Sequence, residues 1–311
     1  LLQKLVNIRF SRFMKLPISS YLAIAINCLL AFISGVAVAE HPVDVQRFNA
    51  DGDYFKALEA YEKIPDRRLS KESDLAAARS AWALGLTKQA TSLFDAALRD
   101  PNLESEERAR ITLSRGVIEY QEERYLEAAL FAEKAASYLP ERAPLRGRAL
   151  LLWGESLIRA KAYTTAEEKL WRAIAEVAPS DRPDAALSLG KVQLKLGKLS
   201  EAERSLKAIP TDHPHAAEAI RLLASIALQS DQGARARFWL EKGRAEYGEH
   251  FLDSWSDYGL VELAIKDGDM VRARELVAAA AKRLPPSDNW LIIMQASLEE
   301  AEWQKLKDES K

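Results

Sequence analysis

Gly52-Asp53-Tyr54-Phe55-Lys56-Ala57-Leu58-Glu59-Ala60-Tyr61 decides the fold, because its pattern returns along the chain. The alanine of this helical phrase recurs at Ala57, Ala90, Ala128, Ala166, Ala202, Ala236 and Ala273, at intervals of 33, 38, 38, 36, 34 and 37 residues. A period near 34 is that of a two-helix unit, which cannot bury its apolar face alone and must stack on copies of itself. Other positions keep step. Twelve residues before the alanine stand Ala78, Gly116, Gly154, Gly190 and Ala224, and five before it Gly52, Gly85, Gly197 and Gly268. Seven after it come Ile64, Ala97, Ala135, Ala173, Ile209, Gly243 and Ala280, and a proline follows eight to thirteen after it in most copies.

Each position has a mechanical reason. A small residue in the middle of the first helix lets the second lie close against it. Glycine relaxes the turn between the two helices, and proline after the second helix stops it and restarts the next unit. On these residues the chain resembles the tetratricopeptide-repeat (TPR) family over roughly residues 50–285. It departs from the family where the tryptophan near the start of the first helix is mostly missing. The later aromatic is kept only at Tyr61 and Phe94, with Ala132, Leu170, Leu206, Leu240 and Val277 elsewhere; a related helical-repeat class with a similar period fits that departure.

The resemblance implies an all-α, right-handed superhelical solenoid of helix-turn-helix repeats over residues 40–286, about six to seven units, with a capping helix at 287–311. Residues 41–64 read as a lone helix phrase at the leading end. In the closing helix Trp290, Leu291, Ile293, Met294, Leu298 and Trp303 are expected to face the stack, with Glu299, Glu300, Glu302, Lys305 and Lys307 toward water.

Residues 1–39 read differently. Met14 and Lys15 precede an apolar run from Tyr21 to Val36, which ends in Ala37-Val38-Ala39 before Glu40-His41-Pro42. A positive start, an apolar core and a small-x-small site form a secretory signal peptide, so the reading places the start at Met14, cleavage after Ala39, and the mature chain in the periplasm or outside the cell. An uncleaved signal would instead anchor the chain in the inner membrane. Cys28, the only cysteine, lies inside the apolar run, leaving the mature chain without a thiol and dependent on helix packing.

Hydrophobic residues make up 48% of the chain, too many for disorder, and 13 Gly with 12 Pro are too few for an all-β protein. Without the first 39 residues 40 basic face 46 acidic residues, a balance unsuited to general nucleic-acid binding. There is no glycine-rich phosphate loop after a strand pattern, no GxSxG and no HExxH, so no catalytic residue and no cofactor is assigned. Thr211-Asp212-His213-Pro214-His215 offers two imidazoles and a carboxylate, but it reads as a polar loop between repeats rather than a metal site. Trp153 and Trp171 read as core or inter-repeat packing.

The function comes from the resemblance. First helices of TPR units line a groove that holds an extended peptide or a partner's helix. Carried over residue by residue, the groove positions are Arg79, Trp82, Arg110, Tyr120, Arg148, Glu155, Arg159, Lys191, Lys195, Arg221, Trp255, Tyr258 and Glu262. Arg148, Arg159, Lys191, Lys195 and Arg221 gather in the central units, which points to an acidic or mixed-charge protein segment as partner. The asparagines of the family's carboxylate clamp are absent. The expectation is a non-catalytic envelope scaffold; alternatives are an accessory factor for polysaccharide or pilus secretion, or a carbohydrate-binding or enzymatic use of the groove.

Overall fold

The computed structural model describes residues 41–65 and 70–310. The signal segment, Met14 and the Ala39 cleavage site lie outside the described residues. Among the described residues the fold is all-α, seven helical hairpins and a closing helix. The hairpins are α1 (Pro42–Ala50) with α2 (Tyr54–Lys63), α3 (Lys71–Ala83) with α4 (Thr87–Leu98), α5 (Ser105–Gln121) with α6 (Tyr125–Ser137), and α7 (Pro144–Arg159) with α8 (Tyr163–Glu176). After them come α9 (Arg182–Lys195) with α10 (Leu199–Lys207), α11 (Ala216–Gln229) with α12 (Gly233–Tyr247), and α13 (Ser254–Lys266) with α14 (Met270–Ala281); α15 (Asn289–Glu309) closes the series. No described helix is long and apolar enough to cross a membrane. The leading phrase expected as a lone helix is a complete hairpin. Its first helix, PVDVQRFNA, is short and buries only Val45, so it carries no apolar period to be read.

The contacts divide the described residues into two compact units that part between Ala90 and Thr91, inside α4. In the first, α1, α2 and α3 pack on one another around Val45, Ala57, Leu58, Ala60 and the alanine-rich face of α3. Ser70 caps α3 by accepting from the Ser73 amide at 3.2 Å. Tyr61 reaches across to donate to Asp74 at 2.9 Å, and Asn49 donates to Ser80 at 2.9 Å. Burial pushes the Asp74 carboxyl above its ordinary range, the tyrosine hydrogen bond opposing it.

In the second unit each hairpin packs on the next. One buried cluster joins Ala166 and Leu170 of α8 to Leu189 and Val192 of α9. The following cluster joins Leu206 of α10 to Leu223 and Ile226 of α11, and a further one runs from Ala224 of α11 to Met294 of α15. The core is therefore a chain of nearest-neighbour interfaces. Ala57, Ala90, Ala128, Ala166, Ala202, Ala236 and Ala273 are all 0% exposed, each where its second helix presses on the first. At Gly154 and Gly190 an added Cβ would lie 2.5 Å and 2.8 Å from the leucines of the facing helix, so only glycine permits this approach.

The turns between paired helices need a left-handed residue. Gly52, Gly85, Gly197 and Gly268 supply it with φ of 72 to 78°, and the same place is held by Glu123, Lys161 and Asp231 at φ 61, 63 and 55°.

The closing helix departs from expectation. Leu291 and Met294 are buried and Leu298 packs against the core, but Trp290, Ile293 and Trp303 are 40%, 43% and 66% exposed. The run Trp290-Leu291-Ile292-Ile293-Met294 is apolar on every side, and one neighbouring hairpin can cover only one of those sides. Trp171, expected in the packing, is also 54% exposed; it follows Leu170, whose inward position it cannot share.

Candidate functional site

In the second unit the first helices α7, α9, α11 and α13 of successive hairpins are joined by a series of polar contacts, and Arg159 of α7 also bonds Tyr120 of α5. The Arg148 guanidinium on α7 meets Asp181, at the entry to α9, at 2.6 Å. The Ser188 hydroxyl on α9 donates to Glu155 on α7 at 2.7 Å. Lys191 on α9 pairs with Glu218 on α11 at 2.6 Å, and Arg221 on α11 with Asp253, the N-cap of α13, at 2.6 Å. Arg159 reaches back to α6, where it donates to the Tyr125 hydroxyl and lies 4.5 Å over its ring. Each link spans neighbouring hairpins, and together they mark one continuous polar face.

This arrangement decides what the basic residues can offer. Arg148, Lys191 and Arg221 are already paired with acids of the next hairpin, and Arg159 rests on a tyrosine. Lys195, exposed in the last turn of α9, alone of the five makes no ion pair or side-chain hydrogen bond among the described residues. The face is thus mixed in charge rather than a free basic patch. Exposed pairs of this kind contribute only about 0–1 kcal/mol each to stability, so a partner's charges can exchange for them at little cost.

Glu155 is shifted by its setting. Burial pushes its carboxyl above the ordinary range, with Asp184 pushing the same way and the Ser188 hydrogen bond and Lys191 opposing. Tyr120, half-buried on α5, stands edge-on to Tyr125 at 5.4 Å, and its hydroxyl is likewise raised, chiefly by burial. At the C-terminal end of the face Arg221 lies 5.1 Å over the Trp255 ring, while Tyr258 leans on Trp290 at 5.0 Å. Glu262 keeps one buried carboxylate oxygen without a hydrogen-bond partner. Arg110 is exposed and pairs within its own helix with Glu106 at 2.8 Å. In the first unit Arg79 is exposed and Trp82 half-buried on α3.

Sequence reasoning missed the acidic half of this network: Asp181, Asp184, Glu218 and Asp253. The available signal was an acid near the start of each first helix, some 27 to 33 residues after a basic residue. His213 and His215 face Asp184 at 3.7 Å and 3.4 Å rather than their neighbour Asp212. No group of three or more His, Cys, Asp or Glu able to hold a metal ion occurs among the described residues.

Stacked two-helix hairpins, with small residues where the helices cross and a polar face along the first helices, define a helical-repeat protein of the kind that binds other proteins. Residues 75–141 and 157–226 each match a family model described as the tetratricopeptide repeat. These two stretches of the chain are tetratricopeptide repeats. No curated protein matches it in sequence. Among solved structures, its fold is similar to that of PilW, described as a widely conserved type IV pilus biogenesis factor. That similarity has 18% identity over 72% of this chain and 98% of the other, with a TM-score of 0.55. PilF of Pseudomonas aeruginosa matches at 18% identity over 68% and 92%, with a TM-score of 0.53. The C-terminal part of a TPR repeat-containing protein from Cytophaga hutchinsonii matches at 14% identity over 82% and 99%, with a TM-score of 0.68. At these identities the likeness concerns the fold.

Proposed function

We propose that this protein is a non-catalytic scaffold, exported to the bacterial envelope, that binds a partner polypeptide along the first helices of its repeats and assists assembly of an envelope complex. The observation carrying this reading is the polar face across α5 to α13. It combines exchangeable ion pairs, the free Lys195 and aromatic anchors at Tyr120, Trp255 and Tyr258, which suits a mixed-charge segment with apolar side chains. The signal-like sequence before Glu40 supports export. The partner is protein, not nucleic acid, and no cofactor takes part. A place in pilus assembly is the narrower form of the proposal, favoured by the likeness to PilW and to PilF.

The test is a crosslinking pull-down from intact envelopes, followed by affinity measurement with Lys191→Glu/Lys195→Glu. The two residues lie four apart on α9 and point the same way. The variant should keep its helical spectrum, because Lys195 is exposed and the Lys191–Glu218 pair that is lost is itself half-exposed and contributes only about 0–1 kcal/mol. Binding should fall at least about tenfold and weaken with salt. Wild-type affinity in the double variant would remove this face from the proposal.

A further inference from the structure

On the opposite side of the same hairpins, the second helices α8 and α10 part to leave a cleft of about 420 Å³. Ala186 and Leu189 of α9 line it, Trp171 and Ile174 come from α8, and Ala208 is the C-cap of α10. The volume lies within the roughly 300–1,000 Å³ of ligand pockets. Three of its lining residues are prolines, Pro179, Pro183 and Pro210, whose rings have little freedom to lose, so this part of the wall is formed before anything binds. Trp171 presents 54% of its surface to solvent there. An exposed tryptophan against a stiff apolar wall is the composition of an interface anchor point rather than of a solvated helix face.

Charge narrows the occupant. Arg182 and Arg204 both line this cleft, and neither makes an ion pair or side-chain hydrogen bond among the described residues. Most arginines around them are engaged: Arg146 with Glu176, Arg148 with Asp181, Arg235 with Glu203, Arg237 with Asp267. The one acid in the lining, Glu201, sits in the first turn of α10, where the helix terminus already favours it. The cleft is only partly enclosed, which leaves room for a chain that enters and leaves it.

We infer that the cleft between α8 and α10 is a second docking site, for an acidic peptide segment that places an aromatic or aliphatic side chain against Trp171 and its carboxylates on Arg182 and Arg204. It is independent of the face along the first helices: either site can fail without the other.

The test uses the protein from Glu40 onward and a short fluorescein-labelled peptide, one phenylalanine flanked on each side by two aspartates, followed by fluorescence polarisation. Arg182→Glu places an acid at the start of α9, where the helix accepts it, and Ala208→Trp fills the cleft from an exposed position. Circular dichroism checks that both variants fold. The inference expects micromolar binding to the wild type, loss of at least about tenfold in each variant, and unchanged binding in Lys191→Glu/Lys195→Glu. A peptide with lysines in place of the aspartates should not bind. The inference is overturned if the wild type does not bind, if binding survives both cleft variants, or if it follows the lysine variant instead. It is overturned equally if laurate titrates the cleft while the peptide does not, which would make the occupant a free amphiphile.

Discussion

Replacing the packed glycines by alanine, one at a time, should destabilise the protein in an order set by the space each leaves. At Gly116 the new Cβ would stand 3.1 Å from the end of the Leu152 side chain and 3.2 Å from the Phe131 Cβ, contacts that small shifts relieve. Alanine is the better helix former by about 0.5–1 kcal/mol, so Gly116→Ala should lie near balance. At Gly190 the Cβ would meet Leu206 Cγ and Cδ2 at 2.8 Å, and at Gly154 it would meet Leu170 at 2.5 Å and 2.7 Å. Overpacking of this kind costs about 1–3 kcal/mol, leaving a net loss of up to about 2 kcal/mol after the helix gain. Gly147 is the extreme case, because its Cβ would lie 2.3 Å from the backbone nitrogen of Val177, which cannot rotate aside. Gly147→Ala should therefore cost about 3 kcal/mol or more, and Gly154→Leu should exceed Gly154→Ala. Thermal melts followed by circular dichroism resolve the series, at about 2–4 °C per kcal/mol for a chain of this size class. The reasoning fails if Gly147→Ala melts with the wild type, or if Gly116→Ala is the most damaging of the four.

Glu155→Gln should raise the melting temperature near pH 7.5 and lose that advantage toward pH 4. A carboxyl whose folded pKa is raised costs stability above its unfolded value near 4.3, in full once pH passes the folded value, and nothing below both; an advantage independent of pH would contradict this. Asp257, 1% exposed, holds Arg244 and accepts from Arg283 at 2.8 Å and 2.9 Å, tying α12, α13 and the end of α14 together. Asp257→Ala should cost about 2–4 kcal/mol in urea unfolding, because it leaves two partly buried guanidinium groups without their carboxylate. Lys161→Gly removes a Cβ from a left-handed residue, worth roughly 1–2 kcal/mol, against about 0.4–1 kcal/mol of added freedom in the unfolded chain. It should leave stability unchanged or slightly higher, whereas Lys161→Val should lower it, and equal melts for the two would refute the turn assignment.

The repeat register was legible because it rests on residue size: alanine where helices touch and glycine where they cross are visible as letters, and every anchor alanine is fully buried. The turns were half legible. Four announce themselves as glycine, while Glu123, Lys161 and Asp231 adopt the same backbone with ordinary side chains, and a sequence shows identity rather than φ. Gly147 went unread since its constraint comes from the backbone of Val177, thirty positions away. The face of α15 was misjudged because five consecutive apolar residues contain no period to say which side is covered. On the candidate site the residue types were legible and their pairing was not. Whether Arg148, Lys191 and Arg221 are free depends on Asp181, Glu218 and Asp253 of the following hairpins, and only the hairpin-to-hairpin spacing brings them within reach.

Photo-crosslinking in living cells tests the central claim most directly. A benzophenone amino acid is placed at Lys195 or Tyr258 on the first-helix face, and at exposed Glu241 on α12 as the control. The account predicts that Lys195 and Tyr258 capture the same envelope polypeptide, that Glu241 does not, and that the Lys191→Glu change reduces capture from Tyr258. Capture from Glu241 alone, or none from the first-helix positions while the protein is folded and exported, would contradict it.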